Sequence, residues 1–295
     1  MELANKSPDS VGKFHLDLGV FHLDLHDMAL RLSRLEPYCV VHDDPSTRQW
    51  YQLTSHHLTE AIHWLERARS SGDVQGSLKL GYLYKEQYVA SNSPDMIALH
   101  KAISYFEEVP EESSSFGTVC EELGLLYQSL AGEVEGAERD SNLCLAIERY
   151  NMTAQRNSTN AMYELGSIYF SNYKNKNASE PEMASVALLT SLDWLERAAN
   201  LGDKYSIYKL ATIYADLPDN GYGFQNCPTN LETAIKWYSL ACAKGNFRAA
   251  GALYKIYMNG PFPDSATAEH WCEVGMKMTL RDCDYRVFVK MCSLA

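Results

Sequence analysis

Histidine, cysteine and carboxylate positions define what chemistry the chain could perform. His22 and His26 stand at i and i+4, and His15 lies eleven residues before His26. On a helix all three project from one side, an arrangement able to hold a divalent metal. The same segment repeats F-H-L-D-L at Phe14 to Leu18 and at Phe21 to Leu25, which a packed capping helix explains without a metal. The capping helix is the expectation, and a metal-dependent sensor or regulatory enzyme built on the N-terminal histidines is the alternative. Near the other end, His270 joins Cys272, Cys283 and Cys292, but thiol spacings of eleven and nine are not those of a zinc site, so buried thiols are expected. Asp216 to Cys227 begins like a calcium loop with Gly221 sixth, yet Pro218 and a terminal Cys227 in place of glutamate reject it. No H-E-x-x-H, G-x-S-x-G, phosphate-binding glycine loop or G-x-G-x-x-G occurs. The chain therefore reads as a non-enzyme, with no catalytic residue, no metal and no cofactor.

The elements that would position any such residues follow from composition and repetition. The 295 residues are 46% hydrophobic and 22% charged, enough for a large core or a stack of small units. With 26 Lys plus Arg against 38 Asp plus Glu, the net charge of -12 repels phosphate backbones, so no nucleic-acid partner is expected. Apolar runs such as ASVALL fall far below membrane length, and the opening MELANKSPDS has no secretion-signal pattern. No membrane partner is expected, and the location is taken as cytoplasmic. Cys39, Cys120, Cys144, Cys227, Cys242, Cys272, Cys283 and Cys292 form no CxxC pair, which suits reduced thiols.

An internal repeat dominates the pattern. Tyr84, Tyr127, Tyr169, Tyr214 and Tyr257 are each preceded by four residues by Leu80, Leu123, Leu165, Leu210 and Leu253, giving five copies of L-x-x-[LI]-Y. The sequence WLERA occurs at Trp64 to Ala68 and again at Trp194 to Ala198, each followed by Gly-Asp at Gly72-Asp73 and Gly202-Asp203. Ala61, Trp64, Leu65 and Ala68 gather one apolar stripe of a first helix, and Ser191, Trp194, Leu195 and Ala198 repeat it. Gly72, Asn157, Gly202 and Gly245 mark the turn, being the two residue types that best tolerate a left-handed helix end. Gly81, Gly124, Gly166 and Ala211 follow the second-helix leucine as small residues where another helix can approach. Phe14, Leu18, Phe21, Leu25, Met28, Leu32 and Leu35 alternate steps of four and three, which predicts one helix over 12–36 packing through that seam.

These residues resemble the Sel-one-like repeat family, a relative of tetratricopeptide repeats. The best local match is Leu210, Ala211 and Tyr214, then Gly221, Gly223 and Phe224, then Ala234, Trp237, Tyr238, Ala241 and Gly245. The resemblance implies an all-α fold: a right-handed α/α superhelical solenoid of about five to six helix-turn-helix repeats with N- and C-terminal capping helices. Its expected organisation is 1–54 as capping helix and linker, 55–262 as five repeats, and 263–295 as a degenerate repeat or cap. A secreted branch of the family staples each hairpin through two cysteines; Cys242 fills the first of those places, but Ala249 and Ala250 stand where its partner would be.

The resemblance also implies that first helices line a concave, protein-binding face. On that face His63, Trp64, Arg67, Asp193, Trp194, Arg197, Lys236, Trp237 and Trp271 are the candidate partner-binding residues, with filling of space between hairpins as the other reading of the four tryptophans. The expected function is a non-catalytic scaffold that holds a partner protein or peptide, with a bacterial immunity or antitoxin protein that sequesters a toxin as a specific form. The acidic balance favours a basic partner, a toxin or an effector. With no paired cysteine frame, the thermal midpoint should be the same with and without reductant. Differential scanning calorimetry checks this, and a large loss on reduction would restore the stapled branch.

Overall fold

The computed structural model describes residues 8–35, 45–91, 93–176, 179–216, 230–260 and 263–279, and these residues are almost wholly helical. The chain divides into two compact units, Met1–Arg149 and Tyr150–Ala295. The first unit holds α1 (Pro8–Leu35), α2 (Pro45–Ser70), α3 (Val74–Ala90), α4 (Met96–Glu107), α5 (Phe116–Glu133) and most of α6 (Gly136–Ala154). The second holds the end of α6, then α7 (Thr159–Lys176), α8 (Pro181–Asn200), α9 (Lys204–Asp216), α10 (Asn230–Ala243), α11 (Phe247–Asn259) and α12 (Ser265–Thr279). The all-α hairpin array expected from the repeats is therefore observed, with α1 ahead of the first hairpin and α12 behind the last. Helix α2 starts at Pro45, earlier than the repeat boundary expected at residue 55.

One turn chemistry recurs. Gly72, Asn157, Gly202 and Gly245 have φ of 83°, 65°, 90° and 85°, the left-handed conformation that ends a helix. The residue after each closes a six-residue loop onto the helix it leaves: Asp73 N–H donates to the Ala68 carbonyl, Ser158 to Thr153, Asp203 to Ala198 and Asn246 to Ala241. Those same residues then begin the next helix. Asp73 accepts from Gln75 N, Asn246 from Arg248 N, Ser158 Oγ from Ala161 N, and Asp203 Oδ2 from Ser206 N at 2.7 Å. A Gly-Asp or Gly-Asn pair thus stops one helix and caps the next, leaving no room for slack between them.

Packing between units of the repeat depends on small residues. The second helix of a hairpin lies against the first helix of the following one, α3 on α4, α7 on α8, α9 on α10 and α11 on α12. A Cβ on Gly81 would meet the Phe106 ring at 2.7 Å, and one on Gly166 would meet Leu195 Cγ at 2.5 Å. The buried Ser191, at the place Ala61 holds in the first hairpin, donates its hydroxyl to the Gly166 carbonyl at 2.6 Å. Leu80, Leu123, Leu165, Leu210 and Leu253 are all buried, as their spacing predicts. The repeat spacing predicts that Leu165 and Tyr169 are both buried between hairpins; Tyr84 and Tyr127 are buried, whereas Tyr169, Tyr214 and Tyr257 are only half-buried, which corrects the expectation for Tyr169.

Helix α1 corrects a second expectation. It packs on α2, but Phe14, Phe21 and Met28 of the anticipated seam are 41%, 55% and 55% exposed. The face against α2 carries Gly12 and Gly19, both buried, with His15 and His22 beside them. A Cβ on Gly19 would lie 2.7 Å from Leu65 Cγ, so the bare backbone there admits the core leucine of α2, and closeness of approach outweighs side-chain hydrophobicity.

Leu165→Ala should destabilise the protein by about 2–5 kcal/mol as a cavity mutation. Gly166→Ala should cost about 1–3 kcal/mol by overpacking against Leu195. Urea unfolding midpoints measure both, and an unchanged midpoint for Leu165→Ala would mean that the repeat register is wrong.

Candidate functional site

The first helices α2, α8, α10 and α12 carry the candidate residues in a common register. Trp64, Trp194, Trp237 and Trp271 are each half-buried, while His63, Arg67, Asp193, Arg197 and Lys236 are exposed. Trp237 and Trp271 pack against the apolar cluster of the second unit, and His15 of α1 stacks on Trp64. In both WLERA copies the arginine three residues on folds back over the indole, Arg67 at 5.2 Å from the Trp64 ring centroid and Arg197 at 4.3 Å from that of Trp194. Such contacts contribute about 0.5–1 kcal/mol at exposed sites and hold the guanidinium where a carboxylate can reach it. At Trp237 the equivalent place is the exposed Leu240. His63 meets Trp64 edge-on at 5.3 Å, and His270 meets Trp271 in the same way at 5.4 Å.

Two features escaped sequence reasoning. On α8 the exposed Met183, Val186 and Leu189 precede Asp193 and Arg197. At helical spacing Met183 and Val186 share the side of α8 that carries Trp194 and Arg197. The signal was the ASVALL run, which holds more apolar residues than one core stripe requires. The second feature is a carboxylate two residues beyond the tryptophan position. Tyr127 OH donates to Glu107 Oε1 at 2.5 Å, Tyr214 OH to Glu196 Oε1 at 3.4 Å, and Tyr105 OH to Glu66. Burial, and then the bond to the carboxylate, push the Tyr105 and Tyr127 hydroxyls well above the usual tyrosine range. Arg69 completes the first of these groups, donating to Glu66 and to Glu108 at 2.8 Å each. Glu66 and Glu196 lie inside the two WLERA copies, so the repetition itself pointed to them.

His15 stacks on Trp64 with centroids 5.6 Å apart, while His22 Nδ1 contacts His57 Nδ1 at 3.1 Å, so the N-terminal histidines engage different neighbours on α2 instead of converging on one ion. Among the described residues no group of three His, Cys, Asp or Glu is placed to hold a metal. Cys120, Cys144, Cys242 and Cys272 form no disulfide, and burial pushes Cys242 up to about 12, which leaves it an inert neutral thiol at physiological pH. The calcium-like segment Asp216 to Cys227, save Asp216 itself, and the Cys283 and Cys292 positions lie outside the described residues. No helix among the described residues is long and apolar enough to cross a membrane.

No family model matches the chain. Among curated proteins it is 26% identical, over 188 residues and 62% of its length, to chitin synthase regulatory factor 4 of Schizosaccharomyces pombe. The match takes up 28% of that protein, so the chain spans little more than a quarter of this relative. Among solved structures it is similar to a Sel1 repeat protein from Oxalobacter formigenes, with 21% identity, a TM-score of 0.47 and coverage of 82% of this chain and 86% of the other. It is also similar to an immunity protein from Pseudomonas aeruginosa, with 14% identity, a TM-score of 0.37 and coverage of 87% and 82%.

The tyrosine–carboxylate bonds should be worth about 0.5–1.5 kcal/mol each, somewhat more for the charged acceptor. A double-mutant cycle with Tyr127→Phe and Glu107→Gln, read by urea denaturation, should return a coupling of that order. Additive single effects would show that the two side chains are only neighbours.

Proposed function

We propose that this chain of Sel-one-like helical hairpins is a non-catalytic scaffold that binds a partner protein along its first helices. The observation that carries the reading is the solvent-facing row on α8, where exposed Met183, Val186 and Leu189 lead into Asp193, Trp194 and Arg197, with the guanidinium laid on the indole. An apolar strip ending in an aromatic–arginine pair and a carboxylate has the composition of an interface core, where tryptophan and arginine dominate the energetics. The same tryptophan–arginine pair stands on α2 as Trp64 and Arg67. The name of the curated relative, a regulatory factor for chitin synthase, favours an adaptor that acts on a partner enzyme. Sequestration of a toxin is another use of such a face. Both call for a partner that complements a net charge of -12, hence a basic one.

Binding of a partner purified by crosslinking through α8 should weaken as salt rises, because exposed charges lose influence beyond a Debye length of about 8 Å at physiological ionic strength. Val186→Asp, at a site 64% exposed, should leave the thermal midpoint within about 1 °C and weaken binding at least tenfold, the loss of about 1.4 kcal/mol that truncating a contact at an interface core produces. Asp193→Lys should slow association. Glu86→Lys, the same charge change on the exposed side of α3, should do much less. An affinity that ignores Val186→Asp, Asp193→Lys and salt alike would remove the proposed face.

A further inference from the structure

Six of the nine histidines lie on two helices, His15, His22 and His26 on α1 and His56, His57 and His63 on α2. Their contacts are specific. His22 Nδ1 faces His57 Nδ1 at 3.1 Å, His57 lies 5.5 Å from His56 by ring centroids, and His15 stacks on Trp64 with its Nδ1 buried and without a hydrogen-bond partner. Gly19, where a Cβ would meet Leu65 at 2.7 Å, lets the helices close far enough for these rings to meet.

An Nδ1 to Nδ1 hydrogen bond needs one nitrogen to donate and the other to offer a lone pair. One proton added to the pair preserves the bond and strengthens it by charge. A second proton leaves two donors face to face, with the neighbouring histidines adding like charge. We propose that the α1–α2 contact is a pH-sensitive latch, which holds α1 over the first hairpin at neutral pH and releases it in mildly acidic solution. Release would uncover Trp64, and only this consequence rests on the binding face proposed above.

The groups acting on His57 are His22 and His26 from α1 and His56 and Glu60 from α2; those acting on His15 are Arg67 and His63 from α2. Glu60 alone favours the proton. Burial first, and then the neighbouring positive groups, hold His57 and His15 below the ordinary histidine range. A base whose docked pKa lies below its free value binds fewer protons when docked. Docking is therefore strongest above the free histidine value and weakens as pH falls from there toward the docked values.

Hydrogen exchange on the full chain, corrected for the intrinsic rate, tests the latch at about pH 7.5 and about pH 5, on either side of the histidine range. Amides of α1 and of the α2 turns beside it should lose at least about tenfold in protection. Amides of α4 and α5 should keep theirs. The triple variant His15→Gln, His22→Gln, His57→Gln removes the three rings that make the contact, retains a neutral donor and acceptor at positions 22 and 57, and should abolish the α1-specific loss. Should that variant fail to fold, His22→Gln alone, on the docked helix, should at least halve the loss. Unchanged α1 protection at about pH 5, a loss shared equally by α4 and α5, or a loss that survives these substitutions would each overturn the latch. Because the readout needs no partner and α8 lies in the other unit, failure here leaves the binding tests on Val186 and Asp193 untouched.

Discussion

The register of the hairpins hangs on four residues in the left-handed conformation. Gly72, Asn157, Gly202 and Gly245 end their helices at fixed points, and the next residue caps the following helix. A helix that must restart after three or four residues has little freedom to slip, so every later side chain inherits its angular position from that turn. An L-residue with a bulky side chain would be strained there, and the strain would act on both helices at once. The close approach of Gly166 to Leu195 is possible only because this register delivers a bare backbone opposite a core leucine.

The short WLERA segment shows how one stretch can serve both interior and surface. Leu65 and Ala68, like Leu195 and Ala198, are fully enclosed. The glutamates turn sideways to a tyrosine hydroxyl, Glu66 to Tyr105 and Glu196 to Tyr214. The arginines turn outward and lie over the indoles. Packing fixes the tryptophan, and the tryptophan fixes the arginine, so a long flexible cation is ordered before any partner arrives. Less entropy is then lost when that cation is engaged.

Much of this was legible in the sequence because it is periodic. The leucine–tyrosine signature, the turn residues and the first-helix stripe each appear several times, and repetition separates structural demand from accident. Helix α1 misled for the same reason. A segment that repeats every seven residues offers more than one seam, and hydrophobicity selected Phe14, Phe21 and Met28, although the contact runs through Gly12, His15, Gly19 and His22. Hydropathy ranks side chains by transfer from water and carries no information on how near two backbones can come. The tyrosine–carboxylate bonds were missed because they join residues 18 to 39 apart on facing helices, a relation that periodicity along one helix does not reveal. The α8 strip was missed because its surplus of apolar residues stands out only once the buried positions are known.

The turn that stops one helix and caps the next also bears on how such a chain can grow. A segment running from one Gly-Asp turn to the next carries its own cap at one end and its own stop at the other. Its second helix presents a small residue to whatever first helix follows. Copying that segment in tandem would extend the array without demanding new complementarity at the junction, since each new neighbour already fits. The verbatim return of WLERA, with Gly-Asp the same distance beyond it, is what descent by duplication of whole hairpins would leave behind. Divergence would then be freest at the exposed positions, where one copy acquired Met183 and Val186 and another His63.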